Sequence, residues 1–426
     1  MLYNPLPLLV SSVGAYMLFK LRFFFILHPM RTARRAFLGM KDSDSFSSLT
    51  LALAGTLGVG NVLGVCVGIS VGGAGSVFWM LVSGIFAAVL KYSEVTLCAD
   101  GAFRPGRSVG GMPYVIKTCF GSVGGKLAGA YAALCLALSF VMGSGLQGRA
   151  FVGAMSGIFD TPPVFCSILL AFFVGLCIIF GTKLISKITV ILIPMSTIVY
   201  IIITLSVIVL NFSAIPSVLN SIISGAFTLR GGAGGLLGFL TSAALREGYS
   251  RGILSNEAGA GTSTMAHARS GILSPAGLGV MGIAEVFFDT WLLCMLTAFS
   301  VLCAGQDALS DGALMGMVRI IGEQLGSPFV LLFLFCVFVF AYSTVICWFY
   351  YGSGCIRFLF GREARPLFTL LFILAVLLGS LVGESMLIAL TDLLILLMSC
   401  ISCSAVIKCS DRIKRLSELG GVIDKR

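Results

Sequence analysis

The residues best suited to chemistry are small and neutral. Ala54-Gly55-Thr56-Leu57-Gly58-Val59-Gly60-Asn61 interrupts an otherwise apolar segment. If this run unwinds inside a membrane, it frees backbone N–H and C=O groups that must find partners. The N–H groups of Val59 and Gly60, at the start of a half-helix, can hold a carboxylate with help from the helix dipole. Glycine lets a ligand approach the chain closely. On the other side of the break, the carbonyls of Ala54 and Leu57 suit a hard cation such as sodium. Ser343-Thr344, in the middle of another apolar stretch, has the hydroxyls to complete that shell. The same pair equally suits back-bonding within its own helix. Asn61 and Gln147 are neutral amides in apolar surroundings, which glue helices or line a path. Two such amides without a titrating partner suit a zwitterionic ligand. Trp348 lies one turn beyond Thr344 and can wall a pocket, or serve as an ordinary core or lipid-facing residue.

Charged residues within the apolar stretches are few. Lys91 and Glu94 sit three apart on one helix face and can pair, and Lys91 can also snorkel. Glu285, Asp289 and Asp392 suit a proton relay, and Asp289 and Asp392 equally suit gates or interhelical hydrogen-bond anchors. Arg149 and Arg230 each lie within an apolar span and need an acidic partner.

The elements that position these residues follow from composition. The chain has 426 residues, of which 58% are apolar and only 11% charged. Its mean hydropathy is +1.05, whereas soluble domains carry about a quarter charged residues. Ile188 to Leu210, Leu127 to Gly148 and Pro328 to Ile356 contain no Asp, Glu, Lys or Arg. Each is long enough for the roughly 20 residues that cross a bilayer. Eleven spans are expected, at about 3–27, 47–71, 75–99, 126–155, 163–181, 184–210, 217–245, 276–304, 327–356, 366–383 and 385–407. The first basic residue is Lys20, after a long apolar run, so the first span reads as a retained helix rather than a cleaved signal. Most of the 14 cysteines fall inside apolar spans, where Cys acts as a small hydrophobe. The lone pair Cys400 and Cys403 reads as core rather than as a zinc or redox motif.

Loop charge tests the count. The loop after the first span carries Arg31, Arg34, Arg35 and Lys41, and every second loop after it is also basic. Those loops hold Arg104, Arg107, Lys117 and Lys126; Lys183 and Lys187; Arg246, Arg251 and Arg269; and Arg357, Arg362 and Arg365. The intervening loops hold only Arg319, which predicts the N-terminus outside and the C-terminus inside. This distribution accounts for the net charge of +10 without a nucleic-acid partner. Setting the first helix aside leaves five plus five, with the second half inverted relative to the first. The expected units are 1–45 (helix and basic loop), 46–211 and 212–407 (the two repeats), and 408–426 (basic tail). In such inverted repeats substrate binds near the midplane, where the leading helix of each half is broken. A second glycine cluster, Arg230-Gly231-Gly232-Ala233-Gly234-Gly235, sits in the leading helix of the second half, matching the first.

Several ordered motifs carry a family likeness. Arg251-Gly252 through Ser255-Asn256-Glu257-Ala258-Gly259-Ala260-Gly261, followed by Ala266-His267-Ala268, is the strongest. Others are Gly55 to Gly64, Phe78-Trp79 with Lys91-Tyr92-Ser93-Glu94, Gly110-Gly111-Met112-Pro113-Tyr114, Phe288-Asp289-Thr290, and Ser343-Thr344 through Trp348 to Tyr350-Tyr351-Gly352. Over roughly Asp44 to Gly361 the chain resembles the alanine or glycine:cation symporter family of prokaryotes. The resemblance implies sodium-driven uptake of alanine or glycine, a fold of the leucine-transporter type, and a plasma (inner) membrane location. It also implies that Asn61, Gln147 and Trp348 face the substrate, with the Ala54 and Leu57 carbonyls, Ser343 and Thr344 around sodium. The chain departs from the family at Val59, where Thr is frequent, and at Ser144 and Arg149, where Asn is frequent. Serine or a D-amino acid is therefore an alternative substrate, and proton coupling through Glu285, Asp289 or Asp392 an alternative drive. A membrane-embedded enzyme is disfavoured, since the only histidines are His28 and His267. No pore-lining ring motif or nucleotide-binding loop is present. No cofactor is expected beyond the coupling ion.

Overall fold

The structure is a computed structural model that describes residues 5–103, 110–227, 242–268 and 274–423. Among these residues every regular element is helical. The first apolar helix, Leu6–Lys20 (α1), stops earlier than the expected span 3–27. Arg22 and Phe23 both adopt left-handed conformations, with φ of 57° and 53°, and turn the chain. The expected basic loop is instead a helix, Pro29–Met40 (α2). It carries Arg31, Arg34 and Arg35 beside the exposed Met30, Phe37 and Leu38. That mixture of cationic and apolar surface suits a helix lying at a membrane interface. Arg31 and Arg35 donate to the carbonyls of Gly421 and Gly420 and so tie α2 to the end of the chain.

The bundle follows. Ser43–Thr56 (α3) and Gly60–Gly72 (α4) form one span broken at residues 57–59 and bent by 40°. Gly75–Ala99 (α5) leads to the short Met112–Cys119 (α6). Gly124–Leu138 (α7) runs through a π-helical stretch, Ser139–Leu146, into Gln147–Phe159 (α8). Pro163–Phe180 (α9) and Thr182–Leu210 (α10) complete the first set. Ile215–Ala226 (α11) and Ala243–Asn256 (α12) flank the second glycine cluster. That cluster, with Arg230, lies outside the described residues. After the one-turn Thr264–His267 (α13), Pro275–Val286 (α14) passes through a second π-helical stretch, Phe287–Cys294, into Met295–Ala304 (α15). The remaining helices are Ala313–Leu325 (α16), Ser327–Phe360 (α17), Arg365–Gly379 (α18), Glu384–Lys408 (α19) and Ser410–Leu419 (α20).

Seven described helices are long and apolar enough to cross a membrane, and the α3–α4 pair makes an eighth. Three shorter apolar helices, Leu6–Lys20, Phe212–Ala226 and Arg365–Gly379, fall at the remaining expected positions, although 228–241 of the expected span 217–245 lie outside the described residues. A second expected loop is corrected. Arg246 and Arg251 lie inside α12, which continues to Asn256, and Arg251 is largely buried. A basic residue on a helix that lines a polar interior need not mark a membrane surface.

Close backbone packing holds the centre. α5 makes its most extensive contacts with α12 and α14. A Cβ on Gly248 would lie 2.0 Å from the Ser76 carbonyl oxygen, so only glycine permits that approach. Between lipid-like surfaces such contact supplies dispersion energy where the hydrophobic effect cannot.

Candidate functional site at the broken helix

The break between α3 and α4 is visible in the hydrogen-bond ladder. Gly58 N–H donates to the Thr56 carbonyl at 2.8 Å, and Asn61 N–H donates to the Gly58 carbonyl at 3.3 Å. In an uninterrupted helix these donors would serve Ala54 and Leu57. The Ala54 and Leu57 carbonyls are thereby released from the ladder, the two that the sequence assigns to a cation.

Thr344, in the middle of α17, is fully buried, and its Oγ1 has no hydrogen-bond partner among the described residues. A Cβ on Gly58 would stand 2.8 Å from that oxygen, so Thr344 lies directly against the break. Ser343 behaves differently. Its hydroxyl donates to the Phe340 carbonyl at 3.2 Å, the back-bonded arrangement. Such a hydroxyl keeps lone pairs to offer, but its proton is committed.

Gln147 begins α8 just after the π-helical stretch, a feature that recurs at functional sites because it re-aims the side chains that follow. Its Oε1 accepts from Val59 N–H at 3.0 Å. The side chain thus occupies the backbone donor expected to hold a carboxylate. Gly55, Thr56, Gly60, Gln147, Arg251 and Ser255 line a cavity of about 20 Å³ at this point. That is room for about one water and too little for an amino acid, so the site is closed.

Asn61 does not face Gln147. Its Nδ2 donates to Asp289 Oδ1 at 2.7 Å and to Ser255 Oγ at 3.1 Å, while Oδ1 is unpartnered among the described residues. Ser255 donates to Asp289, with Oδ1 at 2.9 Å and Oδ2 at 2.8 Å. Thr290 donates to Oδ2 at 2.8 Å. Asp289 therefore anchors α4, α12 and the second π-helical stretch in one interhelical network. Trp348 is fully buried one turn beyond Thr344, but it does not line the central cavity. It packs edge-on to Tyr351 at 5.4 Å and covers Gly143, and its Nε1 is unpartnered.

The matches to known proteins give this geometry its context. The family model described as "Sodium:alanine symporter family" matches residues 1–418. The chain belongs to the sodium:alanine symporter family. The sodium/alanine symporter AgcS of Methanococcus maripaludis is 30% identical over 353 residues, covering 80% of this chain and 76% of that protein. Among solved structures, MhsT in complex with L-phenylalanine aligns at a TM-score of 0.56 and 13% identity, over 85% of this chain and 96% of that one. A Na+-coupled sialic acid symporter in a substrate-bound outward-open state aligns at 0.54 and 12% identity, over 97% and 85%. At such identities the likeness establishes the fold, which is of the leucine-transporter type. The chain is a multi-pass membrane transporter, not an enzyme.

The family's signature stretch forms a second buried polar centre that sequence reasoning missed. Lys91 and Glu94 do not pair with one another, and Lys91 does not snorkel. Lys91 is fully buried, 3.0 Å from Glu285 and 2.8 Å from Ser263 Oγ. Glu285 also meets His267 Nε2 at 3.1 Å. Glu94 accepts instead from Ser402 at 3.1 Å. Glu257, with φ of 54°, accepts from Thr262 and shapes the turn between α12 and α13. The spacing of Lys91 and Glu94 fitted a local pair, and only long-range packing reassigns both. A signal was present in the sequence, since Glu257 and His267 sit in its densest motif.

Proposed function

We propose that the chain imports alanine or glycine by symport with sodium, through alternating access around the α3–α4 break. The observation that carries this reading is the unpartnered Thr344 oxygen set against Gly58, beside the released carbonyls of Ala54 and Leu57. An apolar core does not leave a buried hydroxyl unsatisfied without cost, about 1–3 kcal/mol, and a sodium ion there would relieve it. Ser343 supplies a further oxygen. The substrate carboxylate takes the Val59 and Gly60 N–H groups, and Gln147 swings aside to bind the ammonium or carboxylate. Asn61 and Trp348 line the opened pocket, and the bulk of Trp348 limits the substrate to a small side chain. Sodium organises the break that also binds substrate, so each ligand raises the affinity for the other. The similarity to the sodium/alanine symporter AgcS supports alanine. The alternating basic loops support insertion in a prokaryotic inner membrane with the N-terminus outside and the C-terminus inside.

The test is uptake of radiolabelled glycine, alanine and L- or D-serine into proteoliposomes, with and without an inward sodium gradient. Sodium-stimulated accumulation of alanine or glycine above serine is expected. Uptake that ignores sodium but collapses with the proton gradient would overturn the coupling assignment.

A further inference from the structure

A second cavity, of about 350 Å³, lies away from the break, where α17 ends and α18 begins. Its volume is within the range of small-ligand sites, about 300–1,000 Å³. Arg357, Arg362 and Arg365 line it, together with Ser353 and Tyr350. Arg357 stands in the last turn of α17, and Arg365 is the first residue of α18.

Three features point to an anion. None of these arginines has an ion-pair partner among the described residues, Glu363 of the same turn included. Arg357 Nε and Ser353 Oγ are buried without hydrogen-bond partners among the described residues. The first turn of α18 carries no acidic residue and no side-chain cap, so the helix dipole adds to the positive field. Three guanidinium groups around one cavity, two of them exposed at its rim, with two buried polar atoms unsatisfied among the described residues, form a receptor for an oxyanion. Guanidinium forks match phosphate oxygens two at a time.

We propose that this cavity is a second binding site, for a phosphate-type oxyanion, either the headgroup of an acidic phospholipid or a free phosphate. A headgroup source agrees with the location at the end of two apolar helices, since basic pockets between membrane helices hold acidic headgroups. It does not depend on the substrate or coupling ion assigned to the break.

Thermal unfolding of the purified full chain in neutral detergent tests this. The probes are inorganic phosphate, short-chain phosphatidylglycerol, and sodium chloride at matched ionic strength. The wild-type midpoint is expected to rise by several degrees with phosphate or with phosphatidylglycerol, beyond the chloride control. That rise is expected to vanish in Arg357→Gln/Arg362→Gln/Arg365→Gln. A rise with phosphate identifies a free anion as sufficient, and a rise with phosphatidylglycerol alone identifies the headgroup. If the triple variant does not fold, Arg362→Gln/Arg365→Gln, changed only at exposed positions, is expected to weaken the rise at least tenfold in ligand concentration. No rise beyond chloride, or an undiminished rise in the variants, overturns the proposal.

Discussion

Thr344 and Lys91 are both buried and polar, but their surroundings give opposite expectations. Thr344 Oγ1 has no partner, so its removal leaves the closed protein little changed and falls on ion binding. On the proposed reading, Thr344→Ala raises the sodium concentration for half-maximal uptake by about ten- to a hundredfold, the effect of losing about 1.5–3 kcal/mol of interaction with a charge. Unchanged sodium dependence in a folded variant would remove Thr344 from the ion site. Lys91 is fully committed to Glu285 and Ser263. Lys91→Met strands a buried carboxylate and is expected to cost about 3–5 kcal/mol, read by denaturant titration in micelles. Adding Glu285→Leu should recover much of that loss. A double variant no more stable than Lys91→Met would show that His267 or Ser263 carries the centre instead.

At the scale of elements, two irregularities aim the functional side chains. The α3–α4 break was legible because its glycines carry the backbone freedom that disfavours a helix interior. The π-helical stretches at Ser139–Leu146 and Phe287–Cys294 were not, since Asp289 marks a polar site in the second but no residue pattern in either signals the extra residue per turn. They are stabilised by what they pack against. Gly143 shows the constraint. A Cβ there would lie 2.4 Å from Trp348 Cβ, so Gly143→Ala must displace either the tryptophan or the stretch that leads to Gln147. The expected cost is about 1–3 kcal/mol of stability, with a matching fall in maximal uptake. Normal uptake and stability together would show that Trp348 has room to move.

For the whole molecule, the orientation proposed from loop charge is open to a direct measurement. Asp307→Cys and Glu363→Cys lie on loops that the charge alternation places on opposite faces, and both residues are exposed. A membrane-impermeant maleimide applied to intact cells should label the first and spare the second, with the reverse in inverted vesicles. Labelling of both from one side would refute the helix count or the alternation. The basic residues themselves split into two kinds. Many stand near helix ends, as the charge rule requires, whereas Lys91 is buried within α5 and Arg251 is drawn into the bundle beside Glu247, at 3.2 Å, and onto the central cavity.

The sequence by itself determined that the chain crosses the membrane many times, where its first half breaks, and which oxygen-bearing residues cluster in its apolar spans. Those properties are local: hydropathy over some twenty residues, the missing Cβ atoms of a glycine run, and the motif order that marks the family. Only the tertiary structure decided who answers the groups so exposed. It gave Val59 N–H to Gln147, Asn61 to Asp289, and Lys91 to Glu285 rather than Glu94. It also left Thr344 Oγ1 unanswered. Partners separated by 88 to 228 residues leave no trace in local spacing. Inside a membrane, however, each freed polar group must find a partner, and packing settles which one it finds.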